Sequence, residues 1–326
     1  MNKLYPLKFK ARFRDKIWGG QKINEVLGMD FGQLPNCGEA WVLSGVADNE
    51  TIVSNGFLAG NELNELVEIY MDDLVGGKVY DAFENEFPIL VKFIDANDWL
   101  SIQVHPDDDL ALKRGLGNGK TEMWYIMSAD DGSELISGFG AKVNQKTYLD
   151  HLKAKTLKQI LNFEKVKEGD VFFMPAGRVH ALGPGILLAE IQQTSDTTYR
   201  IYDWDRNDAQ GRSRQLHTEE ALEAIDYNVY DNYRTEYSKL KNQTVGVVDQ
   251  KQFTTNVLNF NKPVLKNYEE IDSFVIYTCV AGSMEISYRA GMEKLAKGEC
   301  MLIPNDLNLV ELKPLTESKL LETFIL

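Results

Sequence analysis

The stretch KEGDVFFMPAGRVH, Lys167 to His180, decides the fold. A Gly-Asp pair opens a short apolar run, Val171 to Met174, and Pro-Ala-Gly closes it. The reading is therefore a strand between two turns, with a histidine just beyond the second turn. The later stretch AKGECMLIPNDLNL, Ala296 to Leu309, repeats Gly298 and Pro304 at the same six-residue interval and carries Leu309 in place of the histidine. One supersecondary unit used twice, the second time without its polar end, predicts a duplicated sandwich whose second copy is structural.

Outward from these anchors the chain repeats the same grammar. EAWVLSG, PILVKFI, LSIQVH, EMWYIM, ILLAEIQQ and FVIYTCV are short apolar or alternating runs bounded by Gly, Asn, Asp or Pro. That spacing predicts a mainly β, antiparallel sandwich or barrel. Helical periodicity is confined to Leu63–Leu74, to Leu149–Leu161 with capping-box spacing at Thr156 and Gln159, and to a short piece around Ala221, Leu222 and Ile225. No helix alternates regularly with strands, which excludes a doubly wound sheet. The charged, Asn-rich stretch from Tyr227 to Asn256 is the expected boundary, dividing the chain into 1–240, a catalytic domain with helical inserts, and 241–326, a degenerate copy.

The chain has 326 residues, 44% hydrophobic and 26% charged, the makeup of an ordinary globular protein. Its net charge of −14 excludes a general nucleic-acid or anionic-membrane partner, since such surfaces call for a basic footprint. Neither a secretion signal nor a membrane-spanning run is apparent, so a soluble, cytoplasmic protein is expected. Cys37, Cys279 and Cys300 are few, separated and odd in number, which suits reduced thiols. An anionic substrate would need lysines and arginines converging from separate segments.

The chemistry-bearing residues lie in separate motifs. In Ser101-Ile-Gln-Val-His105 the strand period puts Gln103 and His105 on one face. Alone, such a pair is more often a satisfied polar pair than a ligand set. Glu122 leads into the apolar run EMWYIM after a Gly-rich turn, where a carboxylate needs either solvent or a cation. His180 has the most structured surroundings of the four histidines; His151 and His217 read as surface or capping residues. Two imidazoles, a carboxylate and an amide oxygen suit one zinc ion, leaving a net charge of +1 available to polarise a carbonyl.

The motifs LSIQVHPDD, GKTEMWYI, GDVFFMPAGRVHAL and EIQQTSDTTYRIYDWDR resemble those of the type I mannose-6-phosphate isomerases, zinc enzymes of the cupin superfamily, and most of all their short bacterial form. The N-terminal segments KIWGG and CGEAW resemble that family's WGG and GESW, with Ala40 replacing the usual serine. The resemblance implies a cupin-type jelly roll present twice, Zn²⁺ on Gln103, His105, Glu122 and His180, and interconversion of mannose 6-phosphate and fructose 6-phosphate through a cis-enediol. It also implies phosphate contacts from Ser101, Lys120 and Arg206, with Arg200 and Lys92 on the sugar side.

The residues themselves meet the basic-pocket condition, since Lys92, Lys120, Arg200 and Arg206 flank the metal motifs. Arg200 is expected to stabilise the developing oxyanion. The proton-transfer base is left open among Glu190, Asp196, Glu39 and a metal-bound water. Trp18 either walls the pocket or fills the core. Partners beyond a sugar phosphate are not expected, and a monomer or homodimer fits. The alternatives are a cupin glucose-6-phosphate isomerase, a non-haem iron oxygenase, which Gln103 disfavours by filling a further position, and a non-catalytic sugar-binding cupin.

Overall fold

The computed structural model describes residues 3–207 and 211–326. Two antiparallel units stand side by side, each a large sheet closed by a smaller one. In the first unit, Arg234–Thr235, Val171–Met174, Glu122–Ala129, Ile186–Gln193, Ile89–Ala96, Glu39–Leu43 and Arg12–Arg14 pair in that order. Facing them is a five-stranded sheet containing Ile102–Val104, His180–Leu182 and Tyr199–Tyr202. The second unit sets Gln243–Asp249, Thr254–Phe260, Ser318–Phe324, Val275–Ala281 and Cys300–Ile303 beside one another, closed by a four-stranded sheet. This is the duplicated mainly β architecture expected from the sequence.

The Gly-x5-Pro echo has a backbone cause. Gly169 and Gly298 both sit at positive φ, 82° and 88°, where a side chain would be strained. Each turn then feeds a buried strand, Val171–Met174 or Cys300–Ile303. Ile186–Gln193 is buried at every residue because it is paired on both edges and covered on both faces.

The two large sheets pack back to back. One apolar cluster joins Val91, Tyr125 and Leu187 of the first to Ile276, Leu321 and Val248 of the second, and the rings of Phe87 and Phe274 lie 4.6 Å apart. Burying each such side chain contributes about 1.5–3 kcal/mol. The expected division at 240/241 falls just before strand Gln243–Asp249, yet Leu7–Lys10 and Ile52–Val53 join the second unit's sheet, with Leu7 paired to Leu302. The shared core and this exchanged strand tie the units together.

The helices depart from expectation in detail. Leu63–Val75 matches its periodicity. The expected helix over Leu149–Leu161 instead spans Gln145–Lys153, capped by Asn144, whose side chain accepts from the Thr147 backbone. Thr156 and Gln159 flank only a 3-10 turn, and Leu161 begins a strand. Asp108–Lys113, with Asp107 accepting from the Leu110 N–H, is an additional short helix. No helix among the described residues is long and apolar enough to cross a membrane.

Candidate metal centre and cavity

Three strands bring the predicted ligands together. Gln103 and His180 are directly paired across the small sheet, and Glu122 opens the neighbouring strand of the large sheet, where its side chain points into the same interior. His105, Glu122 and His180 offer ligand atoms all within 4.8 Å of one another, and all three are buried. His105 Nε2 lies 3.2 Å from Glu122 Oε1, and His180 Nε2 lies 3.8 Å from Glu122 Oε2. Gln103 completes the ring, with its amide nitrogen 3.2 Å from His180 Nε2. An amide flip would turn its oxygen to the same point.

The imidazoles are prepared as neutral donors. His105 Nδ1 lies 2.9 Å from the Thr197 carbonyl, and His180 Nδ1 lies 2.9 Å from the Arg178 carbonyl. Each Nδ1–H therefore donates to a backbone oxygen and leaves the Nε2 lone pair directed inward. Burial, with the Lys120 ammonium as the next cause, pushes His105 down to about 3; burial also lowers His180. Glu122 is the opposite case. Burial would raise it, but Lys120 and His105 hold it well below the usual carboxylate range.

A cation fits this group. Glu122 Oε2 is buried with no hydrogen-bond partner, beside two neutral nitrogen lone pairs. An isolated carboxylate oxygen in that setting is costly unless positive charge reaches it. Lys120 partly answers, its ammonium touching Glu122 Oε1 and standing 3.2 Å from His105 Nε2.

Beside the ligands opens a cavity of about 310 Å³, lined by residues that include Trp18, Glu39, Lys92, Ser101, Lys120 and Glu190. Asp196, Arg200 and Arg214 also reach it. Glu190 is buried between Lys92 Nζ, 3.4 Å away, and the Trp124 indole N–H, which donates at 2.8 Å. Burial and the neighbouring Glu122 raise its pKa against the pull of Lys92. Burial would depress Lys92, but Glu190 and Glu39 raise it. Glu39 accepts from the Trp41 indole at 2.7 Å and pairs with Lys16 at 3.2 Å. Trp18 is buried against Ile94 and Trp124, so it both walls the cavity and fills the core.

Of the predicted site residues, Arg206 does not reach the cavity wall; it is held by Asp98 at 3.1 Å and Asp203 at 2.8 Å. Arg214 lines the wall instead. Sequence reasoning passed over it because GRSRQ carries no spacing that points anywhere. Lys16, the first residue of KIWGG, also lines the wall, a role its motif did not disclose. His217, assigned to the surface or a cap, accepts the Arg200 backbone N–H on Nδ1 at 3.1 Å and so helps to fix that strand.

Comparison with known proteins identifies the family. Residues 6–132 match the family described as phosphomannose isomerase type I, catalytic domain. The chain is 34% identical over 303 residues to a mannose-6-phosphate isomerase of Streptococcus mutans, covering 93% of each chain. It is 40% identical over 234 residues to a probable mannose-6-phosphate isomerase of Bacillus subtilis, covering 71% of each. The crystal structure of a mannose 6-phosphate isomerase from Bacillus subtilis superposes with a TM-score of 0.87 at 29% identity, covering 98% of this chain and 99% of that one.

Proposed function

Because the chain belongs to the type I phosphomannose isomerase family, we propose that it interconverts mannose 6-phosphate and fructose 6-phosphate, moving a proton between C2 and C1 through a cis-enediol. One zinc ion per chain would be held by Gln103, His105, Glu122 and His180. The observation that carries this reading is the buried, unpartnered Glu122 oxygen beside two imidazole nitrogens, one of them on His180, which lines a cavity rich in cationic side chains. When bound, the ion supplies Lewis-acid polarisation of the sugar oxygens.

The remaining work falls to the protein. Glu190, with its raised pKa, is the strongest candidate to accept and return the proton; Asp196 and Glu39 line the same cavity and are the other carboxylate candidates. Lys92 and the Trp124 indole fix the Glu190 carboxylate in one orientation. Arg200 projects positive charge toward the oxygen that becomes negative, its Nη1 anchored on the Gln215 carbonyl at 2.9 Å. Ser101 and Lys120 offer hydrogen bonds to the ester, and Trp18 and Glu39 shape the sugar end. The three cysteines are free and buried, in keeping with a reducing cytoplasm, and a monomer or homodimer suffices for a cavity built from one chain.

Coupled assays with mannose 6-phosphate and with glucose 6-phosphate, before and after chelation, test the reading. Turnover of the mannose ester that disappears with the metal is expected. Preference for the glucose ester, or turnover indifferent to chelation, would contradict it.

A further inference from the structure

The cations around the cavity are not balanced alike. Lys16 has Glu39, Lys92 has Glu190 and Lys120 has Glu122, one carboxylate each. The guanidinium of Arg200 makes no ion pair among the described residues, and its Nε is buried without a hydrogen-bond partner. Burial disfavours its protonated form, as do the charges of Arg214 and Arg206, while that of Asp203 favours it. Asp203 is itself buried and already spans two arginines. Arg214 gives it Nε at 2.7 Å and Nη2 at 2.5 Å, and Arg206 gives it Nη2 at 2.8 Å. Among the described residues, two guanidinium groups are thus paired to one buried carboxylate and the third, that of Arg200, has none; only Arg206 has a second carboxylate, the half-exposed Asp98.

Such an excess of positive charge at one end of a cavity calls for an anion. The two arginines that reach the wall differ in what they have left to give. The fork of Arg214 is fixed by Asp203 through Nε and Nη2, so Nη1 is held in a set direction with no hydrogen bond to a described residue. A guanidinium oriented in this way loses little freedom on receiving phosphate oxygens. Arg206 is held between two carboxylates away from the wall, its Nε buried without a partner, and it braces Asp203.

We propose that Arg214 anchors the phosphate of the substrate and so sets the preference for a phosphorylated over a neutral sugar, with Asp203 as its positioning residue. This deepens the sugar-phosphate reading above and rests on it. It moves the ester-binding role from Arg206 to a residue eight positions further along.

Steady-state kinetics of the metal-loaded enzyme test it. Arg214→Ala is expected to raise KM for mannose 6-phosphate about tenfold or more while kcat changes by less than about threefold, the pattern for loss of binding shared by ground and transition states. Competitive inhibition by inorganic phosphate should weaken by the same factor. Arg214→Lys should recover part of both effects, because it restores the charge without the fork. Asp203→Asn should shift KM in the same direction and leave kcat near normal, which general unfolding would not do. Unchanged KM and unchanged phosphate inhibition in Arg214→Ala would overturn the assignment, as would a fall in kcat at constant KM. If Arg214→Ala does not fold, Arg214→Gln and Arg214→Lys carry the same comparison. An unsubstituted enzyme that turns over no mannose 6-phosphate would contradict the underlying reading instead.

Discussion

The two barrels place the same strands in the same register and put different chemistry on them. In the first, Glu190 lies opposite Lys92 on one side and Trp124 on the other, and Trp124 lies opposite Phe172. In the second, Glu322 lies opposite Asn256 and Tyr277, and Tyr277 lies opposite Met301. A buried glutamate thus occupies the same central position in both, but its partners differ. Glu190 is held by an indole and a lysine and faces a cavity. Glu322 is closed off by Tyr268 at 2.5 Å, Asn256 at 2.9 Å and Lys266 at 2.7 Å. One strand over, Glu122 faces Met174 where Val275 faces Ile303, so the second barrel has an aliphatic side chain where the first has the carboxylate proposed to hold the metal. A buried carboxylate becomes reactive only when its partners leave it room and a charge to respond to; otherwise it is a strut.

Exchanging residues between the barrels turns the comparison into experiments. Glu122→Val, which copies the second barrel, should have the largest effect. Metal affinity should fall by more than about 100-fold, beyond the loss that outer partners of a ligand alone produce, and activity should go with it. Metal analysis after dialysis checks this, and a variant that keeps its ion and its turnover would remove Glu122 from the ligand set.

Arg200→Ala comes next, since the second barrel is expected to need no oxyanion support. A loss in kcat of about two orders of magnitude with the ion retained is expected. Near-normal kcat would take Arg200 out of the chemistry.

Glu322→Ala tests the strut. Leaving Lys266 and the tyrosines without their buried partner should lower unfolding free energy by about 3 kcal/mol, while kcat/KM of the folded, metal-loaded protein stays unchanged. Chemical denaturation and kinetics on the same samples give both numbers.

The smallest effect concerns Asp95, paired opposite Leu187 as Asn259 is opposite Lys319. Burial raises the Asp95 carboxyl to about 6 from 3.8, against the Lys22 N–H that it accepts at 2.7 Å. The folded state then binds more protons than the unfolded state between about pH 4 and 6, so this group's contribution to stability falls as pH rises through that window and is level above it. Asp95→Asn should remove that slope, gaining about 2 kcal/mol relative to the unsubstituted protein between pH 4 and pH 7. Parallel stability curves would dismiss the effect.

Much of this was legible from residues alone. The strand runs, the Gly-x5-Pro echo and the ligand motifs all lie in segments where period and turn chemistry fix local structure, and Leu309 already told the second copy from the first. What the sequence hid depends on distant partners. Arg214 and Arg206 look interchangeable in the chain; only Asp203 and Asp98 decide which one reaches the wall. Val275 could be matched to Glu122 only once the ladders gave the register. The expected helix over Leu149–Leu161 fails because that stretch mixes two periods, a helix to Lys153 and a strand from Leu161.

The central claim is that one divalent ion, shared by His105, Glu122 and His180 with Gln103, governs activity. Titrating zinc into the chelated protein while following mannose 6-phosphate turnover tests it most directly. Activity should rise linearly and break at one ion per chain; full activity in the metal-free protein, or no break at that ratio, would contradict it.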